Sequence, residues 1–73
     1  MPEQTIGEKR VRTRFNPSGN LPVDDIKKKT AELIDMCEDL RDLNASPEVM
    51  RLLSIAQTAY EEAAMWAVKA ATA

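Results

Sequence analysis

The sequence predicts an all-α protein: an antiparallel two-helix hairpin with an extended basic N-terminal arm, assembled as a homo-oligomer. Three observations lead there. Val23, Ile26, Thr30, Leu33, Cys37 and Leu40 recur at spacings of three and four, the seam of one helix packed along another. The stretch "SPEV", Ser46 to Val49, restarts the chain with a capping serine, a proline at the first helical position and an acid in the first turn. The segment that follows is apolar on more faces than a single partner helix covers.

The elements follow in chain order. Residues 1–20 hold both glycines and two of the four prolines, the composition of an arm and turn and not of a core element. Within the arm, Arg10, Arg12 and Arg14 alternate with Val11, Thr13 and Phe15, the period of an extended strand. "NPSGN", residues 16–20, then supplies a turn, because Pro17 fixes φ and Gly19 permits φ > 0. The hairpin is expected over 21–73, with helix one at about 22–43. Asn20 is its cap, Pro22 suits its first turn, and Asp24 and Asp25 sit by the positive end of its dipole.

Asn44 and Ala45 allow a short connection, and helix two is expected at about 47–71. Val49, Leu52, Ala56, Ala59, Ala63, Trp66 and Ala70 form its expected seam against helix one. Leu53, Ile55, Tyr60, Ala64, Met65 and Val68 lie on flanking faces, and after Glu62 the only charged side chain is Lys69. A helix apolar most of the way round is expected to be buried on several sides, here by other copies of the chain. The alternative is a hairpin whose Ala-rich end is exposed and frayed.

Composition supports assembly. A chain of 73 residues buries only about 60% of its unfolded surface, so a lone core is marginal and a staple is expected. Cys37 is the only cysteine and there is no histidine, which excludes a disulfide and leaves no ligand set for a structural zinc. The absence of histidine also removes the commonest general base, and no Gly-rich phosphate loop or nucleophile elbow occurs. The acidic pairs Asp24–Asp25, Glu38–Asp39 and Glu61–Glu62 are helix neighbours pointing about 100° apart, and cannot share a proton. No catalytic set, metal or cofactor is therefore expected. No apolar run reaches the ~20 residues of a membrane span, and no signal-peptide core is evident, so the expected location is the cytoplasm where the chain is made.

Charge is unevenly distributed. Residues 1–29 hold seven basic and four acidic side chains, and residues 30–73 hold three basic and eight acidic. Guanidinium groups fork onto phosphate oxygens, ammonium groups add point charge, and Phe15 offers a ring on which a base can stack. Together these residue types suit a nucleotide. Duplex nucleic acid fits less well, because the acidic remainder repels its backbone, and binding of nucleic acid through the basic arm is a third, weaker option. A second reading stands level with the first: Arg10, Arg12 and Arg14 neutralise acidic faces near Asp35, Glu38, Asp39 and Asp42 of a neighbouring subunit, and Phe15 plugs the open end of the hairpin.

The second helix resembles a known family. "RLLSIAQTAYEEAAMWAVKAATA", Arg51 to Ala73, is similar to the C-terminal helix of the phage anti-CBASS sponge proteins, which share a helical-hairpin domain with a Thoeris anti-defence sponge. "IAQT" stands where that family has Ile-Gly-Arg-Thr, "AAMWAVKAA" replaces an apolar run containing Met-Ala, and "DDIKKKTAEL" is similar to the first-helix motif. The resemblance implies a phage protein of the host bacterial cytoplasm, a hexamer in characterised relatives. Such a protein binds cyclic dinucleotides between paired subunits without cleaving them, so the host effector is not activated. Some relatives hold cyclic trinucleotides in separate pockets. Carried over by position, Lys27, followed by Lys28, matches a phosphate-contacting lysine, and Phe15 stands in for a base-stacking tyrosine. Thr58 keeps the motif's threonine and Gln57 replaces its arginine.

The candidate ligand-binding set is therefore Arg12, Arg14, Phe15, Lys27, Lys28, Arg51 and Thr58. Arg51 sits unfavourably in the first turn of its helix and asks for an acid, which Glu48 supplies, or a bound anion. Trp66 and Tyr60 are expected in packing or an interface, Met36 and Met65 as gap fillers, and Cys37 as a small buried group. The alternative to a messenger-binding protein is a small helical oligomer that inhibits a host protein or organises a phage assembly.

Overall fold

The computed structural model describes residues 3–12 and 21–73, which form three helices: α1 (Ile6–Val11), α2 (Leu21–Asp39) and α3 (Pro47–Ala71). Among the described residues there is no strand. The hairpin is α2 and α3, and α1 packs chiefly on α2.

The extended arm is corrected over Ile6–Val11, which is helical. Its start is a capping box: the Thr5 hydroxyl accepts from the Glu8 amide at 3.0 Å, and the Glu8 carboxylate accepts from the Thr5 amide at 2.8 Å. This T-x-x-E signal is readable in the sequence; over Ile6–Val11 its local hydrogen bonds prevail over the alternation read from residue 10 onward, and residues 13–15 lie outside the described residues. The helix closes at Arg12, which adopts the left-handed conformation (φ 57°, ψ 52°) and returns its amide to the Glu8 carbonyl. Glycine usually takes this place, because a side chain there costs about 1 kcal/mol.

Six residues cannot hold a helix alone, and docking supplies what is missing. Gly7 is the close-approach point. A Cβ there would lie 2.0 Å from the Ala31 carbonyl oxygen, and the bare amide instead donates to Asp35 Oδ1 at 2.7 Å. Val11 then reaches a small core with Ala31, Ile34 and Ala64, against which Tyr60 packs.

α2 ends at Asp39, earlier than expected. The Leu40 amide bonds the Cys37 carbonyl and the Arg41 amide bonds that of Glu38, three residues back, so the last turn tightens and stops. α3 begins as expected, with Ser46 Oγ accepting from the Val49 amide at 3.2 Å and Pro47 in the first turn. The Asn20 cap and the 16–20 turn lie outside the described residues.

Val23 is buried and Ile26, Thr30 and Cys37 are half-buried on the expected seam of α2, but the centre of each helix's packed face is rotated from the expected one. The hairpin buries Val23, Ala31 and Ile34 on α2 and Leu53, Gln57 and Ala64 on α3. Leu33 and Leu40, and on α3 Val49, Leu52 and Trp66, are exposed. α3 carries two apolar stripes, and the one that packs is the one containing Gln57. That side chain is 2% exposed and fully engaged: Nε2 donates to the Ile34 carbonyl (3.1 Å) and Glu38 Oε1 (3.0 Å), and Oε1 accepts from Arg41 Nη2 (2.7 Å). The other stripe is left uncovered.

Candidate functional site

Gln57 beside Ile34 fixes the register of the hairpin. Two helical turns back along α2 lies Lys27, and two turns on along α3 lies Ala64, so these two positions face one another. The end of α1 closes over the same place. The result is a cleft of about 570 Å³, within the range of small-molecule sites.

Its chemistry is divided between floor and rim. Val11, Ala64 and Val68 make an apolar floor, with Met65 beside them. Among the described residues, Arg10 and Arg12 from the end of α1, Lys27 from α2 and Lys69 from α3 stand around it, against one acid, Glu61. Cations gathered over a low-dielectric floor concentrate the field and draw in small anions. Arg10 reaches across to α3, with Nε 3.4 Å from Glu61 Oε1 and Nη2 3.4 Å from Thr58 Oγ1. Both are long contacts, so the guanidinium is readily re-aimed. Lys69 Nζ stands 5.4 Å from the centre of the Trp66 ring.

The residues singled out in the sequence separate into groups. Arg12 and Lys27 line the cleft. Thr58 touches it through Arg10. Lys28 lies in a different depression, walled by Glu8, Asp24, Glu32 and Asp35, surroundings that repel a phosphate. Arg51 lines no part of the cleft. It is paired with Glu48, with Nε 3.1 Å from Oε2, and this pairing pushes the Arg51 pKa up and holds the Glu48 carboxyl below its ordinary range. Arg14 and Phe15 lie outside the described residues. Among the described residues no cluster of metal-ligating side chains occurs, and no helix is long and apolar enough to cross a membrane.

Arg10, Glu61 and Lys69 were not in the candidate set. The signal for Lys69 is its position as the lone charge after Glu62. Arg10 stands in the sequence as one of the arm's basic residues, but its place beside Glu61 becomes visible only when the register is known, since 51 positions separate them.

Among the described residues, a helical hairpin braced by a third short helix and gathering four cations around an apolar floor defines a class: a small helical protein with a cleft suited to compact anions. Residues 7–72 match the family "Acb2/Tad1, hairpin domain", and the chain belongs to that family, the anti-CBASS and anti-Thoeris sponges of phage. Membership makes it an anti-defence protein of the cyclic-nucleotide sponge class, a class that binds its ligands and does not turn them over. No curated protein and no solved structure matches the chain.

Proposed function

We propose that the protein sequesters cyclic dinucleotides intact in the host bacterial cytoplasm, as a homo-oligomer whose subunits each contribute this cleft. The observation that carries the reading is the convergence of Arg10, Arg12, Lys27 and Lys69 on an apolar floor. Two phosphodiesters need cations at separated points, and the bases need apolar surface; the cleft offers both. Binding without chemistry is sufficient for the task, because free messenger falls by mass action once affinity and copy number are high enough. Assembly has support in the uncovered stripe of α3, where Leu52, Ile55 and Trp66 are all more than half exposed. A two-fold axis between subunits would present paired cations to a ligand that is itself nearly two-fold.

Calorimetric titration with cyclic dinucleotides tests this. Tight binding is expected, with intact ligand recovered on denaturation and binding weakened by Lys27→Ala or Arg12→Ala at unchanged oligomer mass. Flat titrations across all dinucleotides and cyclic trinucleotides overturn it. The same exposed stripe favours one other reading, a helical module that docks on a host protein. A stoichiometric protein partner recovered from host lysate, together with flat titrations, would select that reading.

A further inference from the structure

Resting on the reading above, we infer that Glu61 makes the cleft selective for guanine, so that guanine-containing cyclic dinucleotides are its preferred ligands. A carboxylate is out of place in a site for phosphates. At close range it repels each phosphodiester and neutralises one of the four cations. Its position explains it. Glu61 lies at the wall of the cleft beside the apolar floor, its side chain is 36% exposed, and only Oε1 is engaged, at the long distance of 3.4 Å from Arg10. Oε2 takes no hydrogen bond among the described residues.

A carboxylate offers two acceptors side by side, and its best partner is a pair of adjacent donors. Of the four RNA bases, only guanine has that pair on its Watson–Crick edge, at N1–H and N2–H. Adenine sets a bare ring nitrogen next to its amino group, cytosine does the same, and uracil flanks one N–H with two carbonyls. Each of these turns a lone pair toward one carboxylate oxygen. Arg10 completes the recognition, because a guanidinium held beside Glu61 meets the guanine O6, and its present contacts to Glu61 and Thr58 are long enough to exchange at little cost. The base ring lies over Val68 and Met65, and the phosphates lie toward Arg12, Lys27 and Lys69, which line the same cleft.

The test is a calorimetric comparison of cyclic di-GMP, cyclic GMP–AMP and cyclic di-AMP on the full-length wild-type protein and on Glu61→Gln. The wild type is expected to bind cyclic di-GMP about tenfold or more tighter than cyclic di-AMP, the discrimination of one bidentate contact. Glu61→Gln replaces one acceptor by a donor and suits the adenine edge, so cyclic di-GMP should weaken and cyclic di-AMP strengthen. If the three ligands bind the wild type equally, or if Glu61→Gln strengthens all three alike, Glu61 is only a counter-ion and the inference fails while messenger capture stands. If none of the three binds, messenger capture itself fails.

Discussion

Gln57 and Arg51 show how differently two polar side chains on one helix are employed. Gln57 is buried with all three of its described hydrogen bonds made across the hairpin. Gln57→Leu keeps the volume but leaves the Ile34 carbonyl without that donor and Arg41 without one acceptor. It should lower stability by about 1–3 kcal/mol in urea unfolding. Arg51 is solvent-exposed with its partner Glu48, so Arg51→Ala should leave the urea midpoint almost unchanged. Its effect should appear in a titration instead. Because the hydrogen bond from Arg51 lowers the Glu48 pKa below its ordinary 4.5, the pair's contribution is fully present above that value and is lost as pH falls through the lowered one. Arg51→Ala should move the Glu48 midpoint, followed by carboxyl NMR, back up.

At the scale of the element, α1 is the part of the fold that depends most on others. Its caps are local, but its docking rests on the absence of a side chain at Gly7. Gly7→Ala would force a methyl against the backbone of α2, which cannot yield as a flexible side-chain tip does, and would break the amide's approach to Asp35. Amide exchange over residues 6–12 should quicken in this variant, while the middle of α3 keeps its protection. Ligand affinity should fall in parallel, because α1 delivers both Arg10 and Arg12 to the cleft. Unchanged exchange at 6–12 would show that α1 docks by other means. α3, in contrast, has its own cap, proline start and length of 25 residues, and should keep most of its protection.

The whole molecule measures 41 × 29 × 13 Å. Two long helices and one short one give few faces to bury, and a domain is built by burying apolar faces between packed layers. Leu52, Ile55 and Trp66 are more than half exposed, and the proposed assembly would cover them with another copy. The double variant Ile55→Glu with Trp66→Glu should reduce the mass measured by analytical ultracentrifugation and lower the melting temperature together, since assembly and stability are linked. A wild-type protein that sediments as a stable single chain would refute the assembly.

Sequence by itself determined what is decided within a few residues or by periodicity: two long helices, the start of α3 at Ser46–Pro47, the charge split, and the family, whose match spans residues 7–72. Caps and turns are contacts between near neighbours, so they are written locally. Arg12 and Lys27, which line the candidate cleft, stand out in the sequence only as cations on a basic segment. The tertiary structure alone decided which stripe of each helix turns inward, because an apolar period marks a face that seeks cover without naming what covers it. It decided as well that the helix Ile6–Val11, whose capping box is local, docks on α2, and that Arg10, Glu61 and Lys69 join Arg12 and Lys27 around one floor. Those encounters join residues far apart in the chain, 28 positions for Gly7 and Asp35 and 51 for Arg10 and Glu61, and they exist only once Gln57 has set the register of the hairpin and Gly7 has let α1 close against it.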